Sequence, residues 1–215
     1  MNKIFLCALS IFSYHLCHAA SFEYLEMPRK EHEGYKYAAK VFERFTLEIP
    51  VRVLLKEDTP AQTQWTLAST HECIIYNPAK GRIIPLSDKT ITVSYRRNAW
   101  HVNEHRIATS QLYLIPQEGR LKSDGVEYDG FFSIHQQNES LYLVNHLDLE
   151  DYIAAVLPYE SVPSWPAEVQ RALCIACRSY AVYTFLQRRS LGEKWVYPFD
   201  LKATVMDQVY KGHER

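Results

Sequence analysis

The strand-like segments between residues 49 and 145 constrain the fold of this chain more than any other feature. They are short, rich in β-branched and aromatic residues, and separated by turn signals such as Asn77-Pro78 and Lys80-Gly81. Several short strands at this spacing are typical of a small barrel or sandwich. The predicted strands are Ile49–Leu55, Gln64–Thr70, Glu72–Tyr76, Thr90–Tyr95 and Gln111–Ile115, followed by a hairpin of Val126–Gln136 with Leu141–Asn145.

The pattern changes at Asp148, where helix-forming residues replace strand-forming ones. Asp148 is a suitable N-cap for a short helix over Leu149–Val156, which Pro158 is expected to end. A connector follows, and Ser164 is the candidate N-cap of a second helix that runs to about residue 189 and ends before residue 192. We therefore predict an α+β fold, with a small antiparallel β portion (residues 47–147) and then two helices (residues 148–215).

The second helix is apolar or small nearly all round over residues 172–182, which predicts burial on most sides. Arg171 and Arg178 interrupt it, and a seven-residue spacing places them on one face, about 20° apart. A buried guanidinium must be paired. Either Arg178 forms an ion pair that joins the two helices, or it lines a pocket for an anionic or polar substrate together with Arg171. The candidate partners in the ion pair are Asp148, Glu150 and Asp151.

Glu160 is the candidate catalytic group. It lies in the connector between two prolines, near Tyr159, Val162 and Trp165. An apolar surround favours the uncharged carboxylic acid, which is the form that a general acid needs to protonate a glycosidic oxygen. The alternative interpretation is an ordinary solvated loop glutamate.

The first twenty residues resemble a signal peptide. Lys3 precedes an apolar run, Ile4–Leu16, and small residues allow cleavage after Ala19 or Ala20. Residues 21–46 form a charged leader. We expect an exported, periplasmic or extracytoplasmic protein with no stable membrane insertion after cleavage; the alternative is an uncleaved N-terminal anchor. The net charge of −1 gives no basic field for nucleic acid.

Three cysteines follow the predicted signal peptide: Cys73, Cys174 and Cys177. The CxxC pair lies inside a predicted helix and not at its N-terminus, where a thiolate would be stabilised, and no second CxxC completes a tetrahedral site. We interpret these cysteines as small buried hydrophobes. A thiol oxidoreductase is a weaker alternative, and we predict neither a metal nor a cofactor.

The C-terminal third resembles the SpoIID/LytB domain family. Several spaced motifs occur in the family's order. They are Leu141–Ile153, Val156–Glu160 (VLPYE), Ser164–Glu168 (SWPAE), Arg171-Ala172, Ala176–Ala181 (ACRSYA) and Asp207–Gly212 (DQVYKG). Tyr128-Asp129-Gly130 fits the β-rich part that precedes them.

The resemblance implies a lytic transglycosylase that cleaves peptidoglycan glycan strands, often strands stripped of their stem peptides. It assigns the catalytic acid to Glu160 and places Arg171 and Arg178 in the same pocket. Tyr159 and Trp165 either stack on sugars or pack the connector against the helices. The last motif adds Gln208 and Tyr210 as substrate-binding candidates.

The resemblance also allows a second function, that of a non-catalytic peptidoglycan-binding module or amidase enhancer, with a cell-wall amidase as a candidate partner. The family pattern normally continues beyond Gly212, and we expect the core over residues 148–215 to be incomplete, which favours this alternative. Some relatives place Cys and His near the last motif to bind zinc. The segment Phe199–Asp207 has neither, so we predict no zinc.

Overall fold

The computed structural model describes residues 47–60, 64–192 and 196–213. Within these ranges the chain forms thirteen strands and two helices, so the predicted α+β class is confirmed. The helices are α1 (Leu149–Glu160) and α2 (Ala167–Ser190). The predicted signal peptide and leader lie outside the described residues. The strands are β1 (Pro50–Asp58), β2 (Gln64–Ser69), β3 (Cys73–Asn77), β4 (Arg82–Leu86), β5 (Thr90–Arg96), β6 (Ala99–Val102), β7 (His105–Ile107), β8 (Gln111–Pro116), β9 (Leu121–Ser123), β10 (Val126–Tyr128), β11 (Phe131–Gln137), β12 (Ser140–Asp148) and β13 (Leu201–Lys202).

The strands form two sheets. The first has seven strands in the order β13-β1-β12-β11-β8-β3-β4, and the second has six in the order β10-β9-β2-β5-β6-β7. Neighbouring strands are antiparallel, except that β13 pairs in parallel with β1. The C-terminal strand β13 therefore forms the edge of the seven-stranded sheet, next to β1, the first described strand.

One core joins both sheets to both helices. It combines inward-facing residues of β1, β2, β5 and β6 with apolar residues of α1 and α2, among them Trp100, Tyr152 and Phe185. Trp100 contacts two other rings, with its centroid 6.2 Å from that of Trp65 and 4.9 Å from that of Tyr95. The opposite face of the seven-stranded sheet carries a separate cluster around Tyr76, Tyr113 and Phe131.

The chain between residues 126 and 136 is not the single strand that we predicted. It divides into β10 and β11, which belong to different sheets. The break falls at Gly130, whose φ is +85°. A Cβ at this position would lie 1.9 Å from the His146 carbonyl oxygen, so the chain needs glycine to turn here. The turn predicted between β11 and β12 is confirmed, with Asn138 and Glu139 at positive φ.

Both predicted helix boundaries near the connector are wrong. Pro158 does not end α1 but lies within it, because a proline in the last turn removes one hydrogen bond without breaking the turns before it. The Ser161 N–H still bonds to the Leu157 carbonyl and closes the helix. Ser164 does not cap α2; Pro166 occupies the N-cap position, with no capping side chain.

The predicted burial of α2 on most sides is also wrong. Only Cys177, Ala181, Thr184 and Phe185 are buried along its 24 residues, and they form one narrow stripe against the core. The opposite face is exposed and largely apolar. It includes Val169, Ala172, Ile175, Ala176, Tyr183 and Leu186.

Candidate active site

Helix α1 carries Glu160 away from the end of β12. The Asp148 carboxylate caps the helix, because its Oδ1 accepts a hydrogen bond from the Glu150 N–H at 3.0 Å, as predicted. Its Oδ2 accepts bonds from the N–H groups of Glu48 (2.8 Å) and Ile49 (3.1 Å). One carboxylate therefore fixes the start of β1 to the start of α1. Over twelve residues the helix advances about 18 Å to Glu160.

Glu160 lies exposed in the last turn of α1. Its Oε1 accepts a hydrogen bond from the Val209 N–H at 2.8 Å. Within the described part of the chain, Oε2 has no hydrogen-bond partner. The protein thus orients the carboxyl group through one oxygen and leaves the other open to a ligand. The predicted apolar surround is wrong, because the helix extends to Glu160 and presents it at the surface.

The residues on either side of Val209 face inward. Gln208 is buried, accepts a hydrogen bond from the Tyr152 hydroxyl at 3.2 Å and donates one to the Cys177 carbonyl at 3.4 Å. The Tyr210 hydroxyl accepts a bond of 2.7 Å from the Asn145 side-chain amide. Burial raises the pKa of Tyr210 well above its ordinary value. We predicted that Gln208 and Tyr210 bind substrate. In the structure their buried side chains hold the backbone of Val209 in position.

A buried carboxylate anchors the C-terminal segment (residues 199–213) to the rest of the protein. The Asp200 side chain has no solvent exposure and lies between two arginines. Arg52 of β1 reaches it with Nε at 3.0 Å and Nη2 at 2.6 Å, and Arg189 of α2 binds both of its oxygens. Burial alone would raise the pKa of Asp200, but the hydrogen bonds from Arg189 and Arg52 outweigh it and lower the pKa.

A second carboxylate makes a similar anchor. Asp207 accepts bonds from both terminal nitrogens of Arg188 (2.8 and 3.0 Å), from the Lys202 N–H (2.7 Å) and from the Tyr180 hydroxyl (3.0 Å). These bonds, with Arg188 foremost, lower its pKa against the effect of burial. Because Asp207 is two residues before Val209, this anchor helps to set the position of the N–H that binds Glu160.

Tyr159 and Lys211 form a pair beside Glu160. Tyr159 is half-buried in the last turn of α1, and the exposed Lys211 lies two residues after Val209. The Lys211 Nζ is 4.8 Å from the centroid of the Tyr159 ring, within the range of a cation–π interaction. A cation and an aromatic face therefore adjoin the candidate acid.

The two predicted arginines differ in their surroundings. Arg178 is paired with Glu150 of α1 through Nε (2.8 Å) and Nη2 (2.6 Å), so the structure contains the predicted ion pair between the helices. The hydrogen bonds from Arg178 lower the pKa of Glu150. The Arg171 side chain is 76% exposed and lies 3.8 Å from Glu168 on its own helix. Neither guanidinium is buried, because this face of α2 is open to solvent.

The part of the chain that contains these residues matches a known protein family. Residues 137–215 match the family model described as "SpoIID: Stage II sporulation protein", a range that contains α1, Glu160, α2 and the C-terminal segment. This part of the chain matches a SpoIID domain, and we refer to residues 137–215 as the SpoIID domain. The predicted resemblance is confirmed, and the match indicates a cell-wall or sporulation role.

The chain is also similar to an uncharacterized protein of Brachyspira hyodysenteriae. The two are 34% identical over 133 residues, which is 62% of this chain and 34% of that protein. The chain thus spans about one third of that relative. No solved structure matches the chain significantly.

Two other predicted features of the SpoIID domain have clear positions. Trp165 precedes α2 and is 41% exposed, and its backbone N–H donates a hydrogen bond to the Val162 carbonyl. Cys174 and Cys177 are free thiols within α2, and burial, followed by the charge of Glu160, raises the pKa of Cys177. A raised thiol pKa fits the interpretation of a small buried hydrophobe. Across the described residues no group of three or more His, Cys, Asp or Glu could hold a metal ion.

Sequence reasoning missed two contributors to the site. The backbone N–H of Val209 carries no side-chain signal, so only the folded chain reveals it. Lys211 belongs to the quoted DQVYKG motif, but nothing in the motif shows that it reaches Tyr159. As a separate finding, no helix in the described ranges has the length and apolar character required to cross a membrane.

Proposed function

We propose that this protein cleaves peptidoglycan glycan strands by a lytic transglycosylase mechanism, with Glu160 as the catalytic acid. The observation that carries the proposal is the carboxyl group of Glu160, which the Val209 N–H holds through one oxygen while the other stays accessible. An acid that is oriented in this way can present a proton in a fixed direction. Its position inside the SpoIID domain supports the assignment.

In the proposed reaction Glu160 donates its proton to the oxygen that bridges two sugars. The bond from this oxygen to C1 of the muramic sugar breaks as an oxocarbenium-like centre develops at C1. The C6 hydroxyl of the same sugar then bonds to C1 and returns its proton to the Glu160 carboxylate. The product is a 1,6-anhydro sugar, and no water is consumed. One carboxyl group can therefore serve both steps, whereas ordinary glycosidases use two.

The remaining site residues would bind the glycan. The exposed face of Trp165 and the ring of Tyr159 offer surfaces for sugar stacking. Arg171 and Arg178 lie seven residues apart on one face of α2 and would supply donors to sugar oxygens or carboxylates. Gln208 and Tyr210 support the site from inside, through the backbone of Val209. A glycan substrate in the cell wall requires an exported protein, as the predicted signal peptide provides.

A non-catalytic binding module is the alternative. The exposure of Glu160 favours it, since the structure lacks the apolar surround that we expected around a catalytic acid. In this case the surface around Glu160 would bind glycan and present it to a partner enzyme such as a cell-wall amidase.

The test is to incubate the purified chain with peptide-free glycan strands and to detect 1,6-anhydro ends by mass spectrometry. Glu160→Gln should lower the rate by roughly 10²–10⁴-fold, the usual contribution of a general acid. Glu104→Gln is the matched control, because Glu104 is an exposed glutamate in the β6–β7 turn, outside the SpoIID domain. Equal rates for the wild type and Glu160→Gln would rule out Glu160 as the acid. Binding without products in either protein would establish the binding module.

A further inference from the structure

We propose that Lys211 binds the lactyl carboxylate of a peptide-stripped muramic acid residue and so makes the site selective for stripped glycan. This inference rests on the proposed function, because it assumes that the glycan occupies the site beside Glu160. It concerns the recognition of substrate and not the transfer of the proton.

Two contacts place Lys211 at the site. Val209, two residues before Lys211, donates the backbone hydrogen bond to Glu160. The Cα atoms of residues 209 and 211 are at most about 7 Å apart, because only two residues of chain join them. The Lys211 ammonium lies over the ring of Tyr159, the residue that precedes Glu160 in α1. Main chain and side chain thus both connect Lys211 to the last turn of α1.

Charge distinguishes Lys211 from the arginines that the structure describes in the SpoIID domain. Arg178 is paired with Glu150 through two hydrogen bonds, and Arg171 lies close to Glu168. Arg188 and Arg189 are paired with Asp207 and Asp200 respectively. Of the described residues, no carboxylate forms a salt bridge or hydrogen bond with Lys211. Its positive charge is therefore available to an anionic ligand.

Tyr159 keeps this charge in place. A lysine on an open surface samples many rotamers, whereas a cation over an aromatic ring is held by the ring's negative face. The ammonium group still has three donors, and the ring uses none of them as a conventional hydrogen bond. A preorganised ammonium group loses less freedom when it binds a carboxylate.

The glycan offers one carboxylate that fits. Muramic acid carries a lactyl ether, and its carboxyl group is free only after the stem peptide has been removed. In peptide-bearing strands the same carbon belongs to a neutral amide. The lactyl group is on the sugar whose C1 bond is cleaved, so a cation near the acid can contact it. Lys211 would then favour stripped strands through a charge-assisted hydrogen bond.

The test measures binding of two glycan probes to the complete chain at low salt. One probe is peptide-free glycan with free lactyl carboxylates, and the other is the same glycan after conversion of those carboxylates to methylamides. The wild type should bind the free acid roughly tenfold more tightly, a difference within the range of a hydrogen bond to a charged group. Lys211→Gln should bind both probes equally, and Lys211→Arg should keep most of the preference. Lys80→Gln, at an exposed lysine in the β3–β4 turn, is the control and should behave as the wild type.

The outcomes separate this inference from the proposed function. A wild type that cleaves glycan but binds both probes equally overturns the role of Lys211 alone. A wild type that prefers the free acid but never cleaves it overturns the transglycosylase mechanism, and the role of Lys211 then depends on whether Lys211→Gln abolishes the preference. If Lys211→Gln keeps the wild-type preference, another residue reads the carboxylate. Failure to bind either probe overturns both proposals.

Discussion

At the scale of single residues, the fold depends on a few charged groups that the protein has removed from water. Asp200 has no solvent exposure, yet its two arginine partners satisfy both oxygens and lower its pKa. A buried ion pair adds little stability compared with a well-packed apolar core, but removal of one partner leaves a buried charge without compensation. The loss should therefore exceed that of an exposed pair.

Asp200→Asn is predicted to lower the free energy of unfolding by about 3–5 kcal/mol, since Arg52 and Arg189 lose their counter-charge. Urea denaturation measures this value. Asp124→Asn is the control, because Asp124 is 73% exposed in its pair with Lys56 and should change stability by only about 0–1 kcal/mol. Similar losses of stability in both variants would show that the buried ion pairs of Asp200 matter no more than an exposed ion pair.

The same variant has a pH signature. Asp200 has a lowered pKa in the folded protein, so its contribution is present above the unfolded pKa of about 4 and is lost as the pH falls through the folded pKa. The difference in stability between the wild type and Asp200→Asn should accordingly shrink below about pH 4. A constant difference from pH 7 to pH 3 would contradict this linkage.

At the scale of elements, α1 and α2 meet through the Glu150–Arg178 pair at the surface as well as through the core. Glu150 engages two of the five guanidinium donors, and this contact holds Arg178 against α1. The pair is therefore compatible with both roles considered for Arg178, joining the helices and binding substrate. An arginine that a carboxylate holds in position can still offer donors to a ligand.

Arg178→Gln and Glu150→Gln separate these roles, because each breaks the same pair. Both variants should lose a similar and small amount of stability, below about 1 kcal/mol, since both side chains are partly exposed. Glycan affinity should fall roughly three- to tenfold in Arg178→Gln, as expected for the loss of a charge-assisted contact, and should change less in Glu150→Gln. Matching affinities would limit Arg178 to joining the helices.

At the scale of the whole molecule, the C-terminal segment connects three parts that are distant in sequence. Asp200 anchors it to β1 and α2, Val209 reaches α1 at Glu160, and the His213 N–H bonds to the Glu127 carbonyl of β10 at 2.7 Å. The position of the Glu160 carboxylate thus depends on both sheets and both helices.

Gly212→Ala tests this connection. Gly212 has a φ of +73°, and a Cβ there would lie 2.3 Å from the Glu127 carbonyl oxygen, so the segment would have to move away from β10. We expect a loss of about 1–3 kcal/mol in stability and a reduced rate of anhydro product formation. Gly125→Ala is the control: its φ is +81°, but a Cβ there would have no atom within 4 Å. Equal rates in the two variants would show that the segment does not position Glu160.

The sequence alone determined much of the architecture, because its signals are local. Runs of strand-forming residues between turn signals predicted the longer strands, Asp148 was identified as a cap, and the spaced motifs identified the SpoIID domain. Shorter elements such as β7 and β13 were missed, since three- or two-residue strands form only where a partner strand is already in place.

Only the tertiary structure decided the surroundings of the site. An apolar helix sequence predicts burial but not which neighbours supply it, so α2 was wrongly expected to be enclosed. Proline rules gave the wrong end of α1, because the last turn of a helix tolerates the lost hydrogen bond. Val209 and Glu160, which form a hydrogen bond, are 49 positions apart in the sequence. Asp200 and its partner Arg52 are 148 positions apart. Contacts across such separations arise from packing of the complete chain, which local patterns do not encode.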